Sequence, residues 1–373
     1  MYTIDGKFND LNPKLIGVNS VNTSFINKPV EDRFPKNNYP KGLVLGTDTN
    51  VNNYTIESLR KAAEVHKQVR MYIQPFLKPG VDLLEVANEL EGKVRELLKN
   101  KGLNGGNGFP TGLSLDNCAA HWTPHYKQSK KLRKDSVLKI DFGVHVNEWI
   151  IDSAFTITFE PKYKPLLDAV KDATWTGIKN AKIDMPINEW GGLIREVMES
   201  YEVDLNGTSY PVKVIKNLFG HNILKGRIHG GKFLPAFNYE AITDRFKEGV
   251  YAVETFGCIK GNGWVENDNS DNSHYTLNLQ GYYNSPIKRV NSVFNHIQKR
   301  FNTLPFCDRW IDDQLYSKLG KSCRSSLNTL AKSRVVQEYP PLYDKKGSKT
   351  AQYEHTLYIS DGRTEVLSAG NDY

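Results

Sequence analysis

The chain has 373 residues, 39% hydrophobic and 24% charged, which is enough apolar material for a large core and excludes a disordered protein. No apolar run approaches the about 18 residues of a membrane span, and the opening MYTIDGKFND lacks the apolar stretch of a secretory signal. Cys118, Cys258, Cys307 and Cys323 are widely spread and form no CxxC pair, so a zinc knuckle or disulfide frame is excluded and the cytoplasm is expected.

The net charge of +7 is unevenly placed. Between Tyr275 and Tyr339 ten Lys and Arg face four acids, so this segment holds most of the excess. Such a patch is either the solvated face of helices or a contact for RNA, the ribosome or an acidic protein; no specific DNA is expected.

In chain order, residues 1–50 are polar and rich in Asn, Pro and Gly, and read as an extended arm frayed at its start. Ala62, Val65, His66, Val69 and Ile73 recur at helical spacing and predict a first helix over Thr55–Leu77, capped by Thr55 and stopped by Lys78-Pro79-Gly80. Asp82 caps a second helix with the stripe Val86, Leu90, Val94, Leu97 and Leu98. A third is predicted over Pro165–Ala181, and a fourth over Asn188–Tyr201 with Trp190, Leu193, Ile194 and Val197 inward. Further strands are expected around Ile228–His229, Val250–Phe256 and Gln352–Ile359. Helix pairs followed twice by strands predict a pseudo-repeated α+β body, with helices covering an antiparallel sheet. The basic segment, with Val290, Val293, Phe294, Ile297 and Phe301 at helical spacing, predicts a small helical subdomain with its own core.

The stretch Val137–Phe159 reads as a hairpin whose two runs each carry an acid, Asp141 and Asp152, where a strand prefers an apolar residue. A loop centred on Val146-Asn147 sets the acids directly opposite; a slip toward Glu148 makes them diagonal neighbours on the same face. Like charges this close in an apolar sheet need compensation, for which a cation is the natural candidate; a solvated hairpin with two surface acids is the alternative. His221 follows Gly220, and Glu254 and Glu354 lie inside apolar strand patterns. Buried carboxylates are unfavourable unless paired or ligating, so Asp141, Asp152, His221, Glu254 and Glu354 together suggest a metal site. This oxygen-rich set suits Mn, Fe, Co or Zn in an open catalytic site.

The motifs FPTGLSLDNCAAHWTP, LKIDFG with its second Asp eleven residues on, GHNILKGRIHGGK, YAVETFG, NSHY and YPPLYDKKGSKTAQYEHT, with the ending GNDY, resemble in order and spacing those of type 2 methionine aminopeptidases over about residues 31–373. The resemblance implies the pita-bread fold, two pseudosymmetric α+β halves around a dimetal site, over 51–274 and 340–373, with a winged-helix-like insertion over 275–339. It implies that Asp141 chelates one ion, that Asp152 and Glu354 bridge two divalent metal ions, and that His221 and Glu254 complete the set. It places His229 against the scissile peptide and His121 beside the substrate amino terminus, where fumagillin-type epoxides alkylate. Phe109, Ile228, His274 and Tyr339 would shape the methionine pocket.

The implied function is hydrolytic removal of initiator methionine from nascent polypeptide N-termini, with a small second residue, by a cytoplasmic monomer. The rival readings are an X-Pro-specific relative and a non-catalytic RNA- or protein-binding factor. Three departures stand out. The family's NGH is FGH, with Phe219 for Asn; its IHAG is IHGG, where Gly230 would give more room; and Tyr343 stands where some members pair a cysteine with Cys118. The Lys- and acid-rich N-terminal tract of many eukaryotic members is missing, so ribosome association through it is not expected.

Overall fold

The computed structural model describes residues 14–19, 28–47, 53–99, 101–128, 130–278, 283–320 and 322–373. The frayed start expected of the N-terminal arm lies outside them. Within the arm, Ile16 bridges Thr158 and strand Leu43–Gly46 pairs antiparallel with Arg363–Val366, so these parts are fastened to the body.

The first long helix, Tyr54–Ile73, begins a residue earlier than its apolar stripe suggests, because Asn53 rather than Thr55 is the cap: its side chain accepts from the Ile56 amide at 2.9 Å. It tightens into a single 3-10 turn at Gln74–Phe76, around Pro75. Asp82 caps the next helix, Leu83–Leu97, accepting from the Leu84 amide at 3.0 Å. The second helix pair is Lys164–Asn180 and Ile187–Glu199. On the latter, Trp190 and Ile194 are fully buried, but Leu193 is 36% exposed and not inward as expected. Its position next to Ile194 carries it to the edge of the apolar stripe.

One helix pair packs on an antiparallel sheet of Gly105–Leu115, Val137–Val146 and Trp149–Thr158. The other covers a seven-stranded sheet in which Gly249–Ile259 pairs along its whole length with Lys349–Ser360. Phe219–Ile223 and Phe233–Pro235 extend that sheet on one side, and Arg363–Val366 and Leu43–Gly46 on the other. Ile228 and His229 belong to no strand: they leave the tight Leu224–Arg227 turn as irregular backbone.

The two sheets meet where Trp149–Thr158 runs beside Lys349–Ser360. Hydroxyls replace ladder bonds there. Thr356 accepts from the Asp152 amide at 2.8 Å and donates to the Asp152 carbonyl at 2.6 Å. Thr156 makes the mirror pair with Gln352, at 2.8 and 2.6 Å. Asp152 and Thr156 are four residues apart, as are Gln352 and Thr356, so one antiparallel register satisfies both pairs. This seam fixes the depth at which the two half-sites face each other.

The Val137–Phe159 hairpin turns at Asn147-Glu148, with φ of 51° and 66°. Two left-handed residues in a two-residue loop are what a primed turn requires. Asp141 therefore faces Ala154 and Asp152 faces Gly143, and the acids are diagonal neighbours.

Beyond the body, His274–Leu277 lies between Phe306–Cys307 and Val336–Tyr339 in a small sheet, packed with helices Lys288–Arg300, Asp308–Leu319 and Arg324–Lys332 around a separate apolar core. Glu91 holds this unit to the body: it accepts two bonds from Arg309 at 2.8 Å and one from the Trp310 indole at 2.7 Å. His125 sits beside it between Asp271 at 2.9 Å and Asp308 at 2.7 Å. No helix among the described residues is long and apolar enough to cross a membrane.

Candidate metal centre and active site

The five residues singled out by their chemistry converge at the floor of a cavity of about 530 Å³. Glu254 and Glu354 are directly paired on adjacent strands, which puts both carboxylates on one face. His221, on the neighbouring strand opposite Ala252, places Nε2 3.8 Å from Glu254 and 3.6 Å from Asp152. Ligand atoms of Asp152, His221 and Glu354 all lie within 4.8 Å of one another. Asp141 completes the floor through Gln352, whose amide donates to Asp141 Oδ2 at 3.2 Å and Glu254 Oε2 at 3.1 Å.

Asp152 and Glu354 are buried, Asp141 and Glu254 are partly exposed to the cavity, and no Lys or Arg among the described residues forms an ion pair with them. Burial holds the Asp141 carboxyl up at about 7. Burial, and then the neighbouring carboxylates, push Asp152, Glu254 and Glu354 well above the ordinary range. Asp141 Oδ1 and both carboxylate oxygens of Glu354 are buried without a hydrogen-bond partner. Orphaned buried acceptors around one imidazole make a donor set that fits a divalent cation of the Mn, Fe, Co or Zn kind.

Above the floor, imidazoles and apolar groups line the same cavity: His121, His229, His274, Phe109, Ile228 and Tyr339. His229 presents its ring to the opening, 4.5 Å from His221 and 5.8 Å from Tyr339 between centroids. His121 takes a left-handed φ of 64°, unusual for a non-glycine residue, and points between His274 at 6.0 Å and Tyr339 at 6.1 Å. Burial lowers His121 to about 4 and His274 to about 3, and lowers His229 and His221 as well. All four are neutral near pH 7, able to donate or accept a hydrogen bond at one nitrogen each.

Sequence reasoning missed Gln352, which sits two residues before Glu354 on the same strand face and ties Asp141 to Glu254. It also missed the support behind Glu354, whose carbonyl accepts from Ser153 at 2.7 Å and Tyr373 at 3.2 Å. The matched spacing of Asp152 to Thr156 and Gln352 to Thr356 was the available signal. Gly230 brings no room to the pocket: a Cβ there would lie 2.5 Å from the Asn222 side chain, which fills the space and accepts from the Lys232 amide. Phe219 does line the cavity, in T-shaped contact with Phe233. Cys118 is a free, buried thiol opposite Tyr343.

Comparison with known proteins agrees. The model of metallopeptidase family M24 matches residues 57–293. A methionine aminopeptidase 2-1 of Neosartorya fischeri is 45% identical over 369 residues, covering 92% of this chain and 81% of that one. Another methionine aminopeptidase 2-1, from Fusarium vanettenii, is 47% identical over 332 residues, covering 87% and 73%. Among solved structures, a thermophilic Arx1 superposes with a TM-score of 0.70 at 16% identity over 85% of this chain and 91% of that one. The methionine aminopeptidase of Thermotoga maritima does so with 0.57 at 14% over 87% and 100%. At such identities these superpositions speak for the fold alone, which is the pita-bread fold. The chain belongs to metallopeptidase family M24, whose use of divalent metal its acid cluster fits, and within that family to the methionine aminopeptidase 2 group.

Proposed function

We propose that this protein removes the amino-terminal methionine from polypeptides by hydrolysing their first peptide bond, with nascent chains in the cytoplasm as substrates. The observation that carries the reading is a floor of four acids that no Lys or Arg among the described residues pairs with, beneath a pocket walled by imidazoles and apolar side chains. In this reading Asp141, Asp152, His221, Glu254 and Glu354 would hold the divalent metal. Lewis acidity is what the bound ions supply, making water nucleophilic near neutral pH.

The chain's own residues do the rest. Phe109, Ile228, His274 and Tyr339 enclose the methionine side chain and exclude water from it. His229, neutral and at the opening, donates to the carbonyl oxygen of the scissile bond as negative charge develops there. His121, held by its left-handed backbone, stands beside the substrate's first two residues and crowds a large second side chain. Gln352 keeps Asp141 and Glu254 in place by donating to both.

The test is methionine release from Met-Ala-Ser peptides with Mn(II) or Co(II). Wild type is expected to release it, and Asp152→Ala and Glu254→Ala are not. Full activity in either variant overturns the metal assignment, and release from Xaa-Pro peptides instead would move the protein to another specificity.

A further inference from the structure

A second cavity of about 350 Å³ opens from the first. The two share Ile228, His229, Gln337 and Tyr339, so they form one passage with the His229 and Tyr339 rings at its junction. One wall of the outer part is the Leu224–Arg227 turn of the body; the other is strand His274–Leu277 with Thr303.

Two features suit this outer groove to an extended peptide. The first is an open strand edge. Phe306–Cys307 pairs only with His274 and Tyr275, so beyond Tyr275 that edge of the strand has no ladder partner among the described residues, and Leu277 borders the groove. An unpaired edge in a groove is a template for main-chain hydrogen bonds. The second is the lining. Thr276, Thr303 and Gln337 are uncharged donors and acceptors, and Arg227 is the only charged side chain among the described residues lining it.

The walls are also braced. At the hairpin tip, the Glu148 carbonyl accepts from the Gly226 amide at 2.8 Å, and its carboxylate accepts from Asn302 at 3.3 Å. One residue therefore ties the turn on one wall to the segment carrying Thr303 on the other. Gly226 keeps them close: a Cβ there would come within 3.0 Å of Thr303 Oγ1.

We propose that this groove is a binding site for the substrate chain downstream of its second residue, taken in extended form against the free edge of His274–Leu277. Recognition is through the main chain, so it tolerates varied downstream sequence, with Arg227 adding a preference for an acidic residue. The direction of the chain rests on the methionine-removal reading; the groove and its edge do not.

The experiment compares a Met-Ala-Ser amide with a Met-Ala-Ser octapeptide amide, and with that octapeptide N-methylated at positions four to six. The octapeptide is expected to exceed the tripeptide in kcat/KM by about tenfold, the order of one or two net hydrogen bonds. The N-methylated peptide, and the plain octapeptide on Thr303→Trp, should bring the ratio near one. A wild-type ratio near one, or a ratio that neither change lowers, overturns the groove. Fluorescence anisotropy of the octapeptide labelled at its far end, in chelator, reads binding without turnover. Weaker binding of the N-methylated peptide to wild type supports the groove, and equal binding overturns it. If no peptide releases methionine, the function proposed above fails while the anisotropy still decides the groove.

Discussion

Two of the groups of buried acids in this molecule are treated in opposite ways. Where the outer unit meets the body, Glu91 is held by a bidentate Arg309, and His125 lies between Asp271 and Asp308. The Arg309 charge keeps Glu91 below the ordinary carboxylate range in spite of its burial. At the cavity floor, Asp141, Asp152, Glu254 and Glu354 are largely enclosed too but share one imidazole and one amide, and burial raises all four. Among the described residues a cation stands against Glu91 and none against these four, so the compensating charge is left to come from outside. Paired acids here hold the fold together, and unpaired ones mark the chemistry.

The largest expected effect breaks the function and spares the fold. Glu354→Gln keeps the shape of a side chain whose oxygens have no partner and removes one charge from the crowd. Methionine release should fall by more than about a hundredfold, since even groups supporting a metal ligand are worth about ten- to a hundredfold. The melting temperature in chelator should hold or rise, because like-charge repulsion is relieved. A large loss of stability in chelator would show that the floor is structural after all.

Glu91→Ala should do the reverse. It leaves the Arg309 guanidinium buried without its carboxylate, a change that destabilises by about 3–5 kcal/mol, read by denaturant unfolding. Replacing Glu91 and Arg309 together by Met should recover much of this, because no lone charge remains. Since Arg309 also donates to the Pro124 carbonyl at 3.1 Å, near His121, the double variant, which loses that donor, should recover stability without recovering full activity.

These two clusters differ also in how they could be read from sequence. Asp141, Asp152, Glu254 and Glu354 betray themselves because each interrupts an apolar strand pattern, and such misfits are visible one at a time. The hairpin register was narrowed to two choices but not decided, because Val146-Asn147 and Asn147-Glu148 are both plausible turns and only the left-handed pair at 147 and 148 selects one. Glu91 and Arg309 interrupt no apolar strand pattern; their pairing spans more than two hundred residues and no local period records it. Leu193 was misplaced because a helix stripe has edges, and spacing alone does not say where the neighbouring sheet ends.

A smaller effect concerns His125. Its two carboxylate partners raise it to about 9, against burial and the nearby Arg324. The folded value lies above the unfolded one near 6.5, so the stabilisation is full below about pH 6.5 and is lost as pH rises through about 9. With Asp271 partly in solvent, the loss should be on the order of 1–2 kcal/mol. His125→Gln should flatten the stability profile over that window, and an unchanged slope would remove His125 from the latch.

The smallest expected effect sits directly behind the unpaired acids. Tyr373 is buried, stacked on His355 at 4.8 Å and covered by the Arg70 guanidinium at 4.5 Å, while Arg70 is itself paired with Asp372. Its hydroxyl reaches the main chain of Glu354, so this further ion pair backs onto the unpaired acids through Tyr373. Tyr373→Phe keeps the stacking and the ion pair and removes that donor together with its hydrogen bond to the Ser153 hydroxyl. Its partner, the Glu354 carbonyl, still accepts from Ser153, so no acceptor is stranded. Stability should therefore fall by about 0.5–1.5 kcal/mol, and calorimetric Mn(II) affinity by less than about tenfold. A loss of affinity as large as about a hundredfold would mean that the Glu354 carboxylate is positioned from behind by this hydroxyl.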